Sequence, residues 1–203
     1  IVSFSDNHSP TPNRLGRECT VFDHKDITYK KIVDDIKNKT FSMTIEFFPE
    51  EGKYHFDGHR TCNISMSPEQ TKKVKNICPI CKKPMVIGVQ NRVEELADRP
   101  EGFIPKHAIP FKSFVPLTEA ITCVNGLSST SKKIMEIYNE LIEKFGTEFN
   151  ILLNISENDL KKHMKEDLAD FIVKMREGNV KFIPGFDGVY GKPILDESAL
   201  PKL

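Results

Sequence analysis

The 203-residue sequence has no tryptophan, no net charge and no apolar run approaching the roughly 18 residues that a bilayer-crossing helix needs. It shows no signal-peptide pattern, so the expected setting is the cytoplasm, with no membrane partner. A formal charge of zero argues against a uniformly basic nucleic-acid surface. No Gly-x4-Gly-Lys-Ser/Thr run is present to cradle a nucleotide triphosphate, which removes ATP-driven chemistry from consideration. There is also no His-x-His pair, no carboxylate cluster and no internal repeat. The first residues, Ile1-Val2-Ser3-Phe4, read as a buried strand without an initiator Met, which leads us to expect a longer natural chain.

What is present is unevenly distributed. With 38% hydrophobic and 29% charged residues the chain reads as globular, long enough for one ordinary domain and a small module. From Lys53 to Arg92 there are eight Lys or Arg against Asp57 and Glu69, a net charge of +6, and the flanks sum to −6. Such a basic segment is either a local phosphate-facing patch or a solvated lysine-rich loop.

The apolar pattern predicts a helix over 27–38 and an alternating strand over 40–48. Residues 49–88 are poor in apolar side chains and hold the clustered Cys and His, as a metal-stapled insert without its own core does. Beyond it we expect helices over 90–97, 116–124 and 132–145, the last with Ile134, Ile137, Tyr138, Leu141 and Phe145 on one stripe. Residues 101–112 read as a linker or an extended arm and 148–153 as a strand. Ser156 is a candidate N-cap, and 167–176 continue as helix with Gly178 at its end. The fold expectation is α/β, in three consecutive parts with boundaries at 1–48, 49–90 and 91–203.

The five cysteines include the pair Cys78-Pro79-Ile80-Cys81, preceded by His59-x2-Cys62 across a fifteen-residue gap. A Cys-x2-Cys turn brings two thiolates to one tetrahedral ion, and the following lysines favour thiolates. His59 stands as far before Cys62 as Cys78 stands before Cys81, so it is the preferred fourth ligand, with His55 as the alternative. Four protein ligands close a coordination shell, which makes this a structural zinc site and leaves no open position for catalysis. A redox role for the Cys-x2-Cys pair would leave Cys62 without one. Cys19 and Cys123 read as ordinary core or loop residues, and His24, His107 and His163 as isolated surface histidines.

Asp6 and His8 follow an apolar strand, and alternate strand residues point the same way, so the two could share a metal. Two ligands do not complete a catalytic centre.

Several longer motifs carry a resemblance. Ser5-Asp6-Asn7-His8-Ser9-Pro10 followed by Leu15-Gly16-Arg17-Glu18 looks like the last metal-binding motif of the polymerase-and-histidinol-phosphatase (PHP) superfamily. The run from Glu46 through Phe48-Pro49-Glu50-Glu51-Gly52-Lys53-Tyr54-His55-Phe56-Asp57-Gly58-His59-Arg60, the zinc knuckle, Arg92-Val93-Glu94-Glu95-Leu96-Ala97-Asp98-Arg99-Pro100-Glu101-Gly102 and the glycine-rich end resemble endonuclease Q and its bacterial relatives. That resemblance spans essentially the whole chain. It implies a repair nuclease that recognises deaminated bases or abasic sites in DNA and cuts 5′ of the lesion. It also implies the end of a PHP-type α/β barrel (1–48), a zinc-binding insert (49–90) and a mainly helical C-terminal domain (91–203), with the N-terminal PHP half lying outside this chain.

On this resemblance Asp6 and His8 become ligands of a catalytic centre with divalent ions (zinc, magnesium or manganese), and the chain alone is expected to be inactive. Arg14, Arg17, Lys53 and Arg60 are candidates for DNA phosphates. Phe186 and Tyr190 are candidates for stacking on a base, or for a buried turn. A stand-alone zinc-containing binding module and a PHP-type small-molecule phosphoesterase are the alternatives. The basic insert and the long helical region are more than a small phosphate ester requires.

Overall fold

A computed structural model describes residues 1–11, 15–128 and 130–195. In chain order these form β1 (Cys19–Val21), α1 (Tyr29–Asn38), β2 (Met43–Glu46), β3 (Asp57–His59), β4 (Ile64–Met66), α2 (Pro68–Lys73), α3 (Val89–Leu96) and β5 (Phe111–Ser113). There follow α4 (Leu117–Asn125), α5 (Lys132–Phe145), α6 (Glu148–Leu153), α7 (Glu157–His163), α8 (Glu166–Arg176), β6 (Lys181–Ile183) and β7 (Lys192–Ile194). Short 3-10 turns lie at Pro49–Glu51 and Arg60–Cys62. This is a mixed α/β protein with small sheets. Among the described residues the strands close no barrel, and no helix is long and apolar enough to cross a membrane.

The chain divides into two compact units that cut across the three consecutive segments expected from sequence. One comprises residues 1–47 and 106–180, the other 48–105 and 181–203. The difference arises because the β6–β7 hairpin associates with the 3-10 turn at Pro49–Glu51, and sequence distance does not reveal that pairing.

The first unit is held by apolar helix packing. Its sheet runs β1-β2-β5, antiparallel between β1 and β2 and parallel between β2 and β5. The stripe on α5 buries Ile134 and Leu141, and α8 buries Leu168, Ala169, Phe171, Ile172 and Met175. Ile121 on α4 and Ile151 and Leu152 on α6 are also fully buried. The helix ends are satisfied by named groups. Ser156 accepts the Asp159 N–H at the start of α7, and Thr147 accepts the Asn150 N–H at the start of α6. At the other end of α6, Arg176 donates to the carbonyls of Leu152, Ile155 and Ile151 at 2.8, 2.6 and 2.7 Å, placing a cation where the helix dipole is negative.

Two expected strands are not strands. Residues 148–153 form α6, because the Thr147 cap starts a helix and Ile151 and Leu152 pack into the helical core. Residues 1–4 form no regular structure. Ser3 instead exchanges hydrogen bonds with the Thr20 hydroxyl and donates its own hydroxyl to Glu46, while Ile1 is fully exposed. The reading of Asp6 and His8 as alternate positions at a strand end therefore loses its strand. The stretch expected as a linker, 101–112, runs into β5, which completes the first sheet. The remaining expected helices, including that over 27–38, which starts at Tyr29, appear within a residue or two of their predicted ends.

Candidate metal centre and its surroundings

β3 and β4 form a hairpin in which Asp57, Gly58 and His59 pair with Met66, Ser65 and Ile64. The strand ends at His59, and the 3-10 turn that follows carries Cys62 back towards it, closed by Asn63 in the left-handed region at φ 52°. The second pair of donors sits on a tight knuckle. Cys78 N–H donates to Lys83 O at 2.8 Å, Lys82 N–H donates to Cys78 O at 3.0 Å, and Lys82 takes φ 62° so the chain can reverse. The capping box of α2, in which Ser67 and Gln70 bond each other's backbone, fixes the segment leading into the knuckle.

One ligand atom from each of His59, Cys62, Cys78 and Cys81 lies within 4.8 Å of all the others. A tetrahedral zinc with sulfur ligands needs ligand-to-ligand separations of about 3.8 Å. Cys81 Sγ lies 3.7 Å from His59 Nδ1, close to that edge length. The electrostatics agree with a cation-requiring site. Desolvation, then hydrogen bonds to Cys81 and Cys78 and their charge, push the Cys62 thiol up to about 11. Desolvation opposes ionisation of Cys78, but the N–H groups of Cys81 and Ile80 point at its sulfur and bring it below the usual thiol value. Three thiols packed this closely cannot all ionise without a compensating positive charge. The donor set fits a structural metal such as zinc. His55 is not part of it; it is buried, stacked on Phe56 at 5.1 Å between centroids, and burial lowers its pKa.

Beside the centre, in the same unit, two groups that sequence reading missed hold the framework. Asp57 is fully buried, and its carboxylate accepts the Gly88 N–H at 2.6 Å and the Asn91 side-chain amide at 2.7 Å, which anchors the start of α3. The second is the turn joining β6 to β7. Asp187 at φ 41° and Gly188 at φ 86° form a two-residue reversal closed by Phe186 N–H to Val189 O at 3.0 Å and Val189 N–H to Phe186 O at 2.7 Å. The Asp187 carboxylate accepts the Arg60 N–H at 2.6 Å, and Gly188 N–H donates to Lys53 O at 2.8 Å. At Gly191 the backbone passes so close to Glu50 that a Cβ would fall on its carbonyl oxygen. Asp-Gly is a legible turn signal, whereas the partners of this turn are not.

The structure separates the other candidate residues. Phe186 is buried against Gly58, so its ring packs inside the unit and is not presented for stacking. Tyr190 is 58% exposed, Tyr54 is 47% exposed, and the Lys53 ammonium lies 5.6 Å from the Tyr54 centroid and 5.8 Å from that of Tyr190. Arg17 stacks its guanidinium on Phe47 at 4.9 Å. Asp6 and His8 approach to 3.4 Å, with side chains 97% and 84% exposed, and among the described residues no third ligand joins them. Arg14 lies outside the described residues.

His24 is not an isolated surface group, since it pairs with Asp35 at 2.5 Å, and Asp35 also accepts the Thr40 hydroxyl at 2.7 Å. In the first unit Glu148 accepts the Leu117 N–H at 2.7 Å and the Tyr138 hydroxyl at 3.1 Å. Burial raises the Glu148 carboxyl, and burial together with Glu148 pushes the Tyr138 phenol up to about 12.

Residues 116–179 match the family described as the MJ0043 C-terminal domain. Over 95% of this chain there is 34% identity to the uncharacterised protein MJ0043 of Methanocaldococcus jannaschii, of which it covers 25%. A similar match, 30% identical over 95% of this chain, is to the uncharacterised protein YqxK of Bacillus subtilis, of which it covers 46%. Among solved structures, the lesion-specific endonuclease PfuEndoQ of Pyrococcus furiosus superimposes on 97% of this chain with a TM-score of 0.84 and 31% identity. Endonuclease Q in complex with a 27-mer duplex carrying an abasic lesion at its active site superimposes on 99% with a TM-score of 0.82 and 29% identity. The chain spans about half the length of these structures and half or less of the relatives. The class that fold and site define is thus a mixed α/β protein with a His/Cys metal module. Within that class, the resemblance to the endonuclease Q family is shown across the whole of this chain.

Proposed function

We propose that this chain is the DNA-holding, zinc-stapled portion of a metal-dependent repair endonuclease that recognises deaminated bases or abasic sites and cleaves 5′ of the lesion. The observation that carries the reading is the likeness to endonuclease Q over 97% and 99% of the chain, with one of those structures bound to a duplex bearing an abasic site. Zinc held by His59, Cys62, Cys78 and Cys81 keeps the basic segment folded, and Lys53 and Arg60 in that unit contact phosphates. Base flipping costs a few kcal/mol, and a damaged or mismatched pair lowers that cost.

Asp6 and His8 are two ligands of a PHP-type catalytic centre whose remaining ligands lie in the part of the protein beyond this chain. The exposure of both side chains suits residues that await partners. A divalent ion in such a centre supplies an activated water and neutralises charge on the scissile phosphate.

The test is incision of uracil-, hypoxanthine- and abasic-containing duplexes by the full-length protein and by the 203-residue chain, with and without chelator. Nicking by the full-length protein alone, abolished by chelator and by Asp6→Ala, supports the reading. Efficient nicking by the isolated chain would show that it is not a dependent portion. DNA binding without incision by the full-length protein would favour a binding module, in which the wide exposure of Asp6 and His8 simply reflects a solvated loop.

A further inference from the structure

We propose that Tyr54 and Tyr190, with Lys53 between them, form a rigid stacking platform for an unpaired stretch of DNA strand. The proposal rests on the reading of the chain as part of a DNA-processing enzyme and adds to it the form in which that enzyme meets DNA. The unit that carries these residues has little apolar core: Met85, Phe182, Phe186, Ile194, Cys78 and Pro68 are its buried apolar side chains among the described residues. Yet it leaves two large aromatic rings about half exposed, side by side on the same cation. What sets these two rings apart from the unit's other exposed apolar side chains is that one ammonium lies within about 6 Å of both ring centroids.

The platform is held by backbone on every side. Tyr54 O accepts the Val89 N–H at 2.7 Å, Lys53 O accepts the Gly188 N–H at 2.8 Å, and Gly191 N–H donates to Glu51 O at 3.0 Å next to Tyr190. The Arg60 N–H bond to Asp187 ties the hairpin turn to the metal-bearing strand. These bonds fix the backbone from which both rings project, which lowers the ordering cost when a flat ligand settles on them. The Lys53 ammonium, within about 6 Å of both centroids, polarises the rings and keeps N–H donors for a phosphate. Stacking on aromatic side chains beside a positive groove is how proteins take hold of unpaired bases without reading their sequence. A fully paired duplex hides its base faces in the stack and offers this platform only phosphates.

The test uses the zinc-loaded 203-residue chain and a single-stranded deoxyoligonucleotide containing 2-aminopurine, with affinity read by anisotropy and stacking by quenching. Tyr190→Ala and Tyr54→Ala should each weaken binding roughly ten-fold and reduce the quenching, while Tyr190→Phe keeps both. Lys53→Ala should flatten the salt dependence by about 0.7 in log–log slope, the loss of one phosphate contact to a single strand. Zinc content and far-ultraviolet circular dichroism should be unchanged in all four. Alanine variants that bind and quench like the parent overturn the platform while leaving the DNA reading intact. A Phe variant as weak as the Ala variant also overturns it, by showing that the hydroxyl makes the contact. If the parent chain binds no DNA, platform and functional reading fall together.

Discussion

The two units of this chain reach stability by different routes. In the helical unit, thirteen of the twenty-two buried hydrophobic residues described in the chain pack from helices whose stripes, caps and loops agree with one another. In the unit with the His/Cys group the buried set includes Glu51, His55, Asp57 and Thr71, and its backbone is fixed by long-range hydrogen bonds beside four side chains whose donor set fits a metal. The first arrangement tolerates exchange of one apolar side chain for another of similar volume. The second depends on particular atoms, because a buried carboxylate or thiolate has no substitute of equal chemistry. Of the candidate DNA contacts, Lys53, Arg60 and Tyr190 lie on the unit with less core, where directed polar groups fix the backbone.

The sharpest way to break the comparison is to remove the metal. Chelation, or Cys78→Ser, should unfold the metal-bearing unit while the helical unit keeps its circular dichroism and cooperative melting. Limited proteolysis should then cut within 48–105 and spare 117–176, and metal analysis of the untreated protein should find one zinc per chain. A chain that purifies without metal yet resists protease there would end the distinction. The converse substitution, Ile172→Ala in α8, should cost the helical unit about 2–5 kcal/mol by denaturant unfolding and leave zinc content unchanged.

Asp57→Ala should cost the metal-bearing unit about 2–4 kcal/mol, because the Gly88 N–H and the Asn91 amide lose a charged acceptor in a buried place. The readout is zinc retention against chelator concentration, which should shift to lower chelator. The smallest effect concerns pH. The Tyr138 phenol is raised from 10.0 to about 12 in the folded state, so its contribution is fully present below pH 10 and is lost as pH rises towards 12. Tyr138→Phe should remove that alkaline loss from the melting profile of the helical unit and leave the metal-bearing unit untouched.

The metal centre was legible because its chemistry is local: His59-x2-Cys62 and Cys78-x2-Cys81 each lie on one tight reversal, and only their meeting needed the fold. The α5 helix was legible for the same reason, since its stripe repeats within fourteen residues. Glu148–Leu153 was misread because six residues of mixed apolar character do not separate strand from helix by periodicity, and Thr147 decides the matter as a cap. The partners of Asp57 and Tyr54 were not legible, as each depends on a residue far along the chain, and for Phe186 the buried-turn reading is the one that holds. Asp6 and His8 were paired as alternate positions at a strand end and given a catalytic role by the resemblance, and the lost strand removes the first of these supports.

The Arg60–Asp187 hydrogen bond joins positions 127 residues apart. At ordinary elongation speeds, on the order of ten seconds separate the emergence of these two residues from the ribosome. During that interval the ligand-bearing strand and knuckle are already outside, while the hairpin that locks Lys53, Glu50 and Arg60 in place has not been made. A metal captured early at the four His/Cys donors would hold this half-built unit together until its last strands arrive.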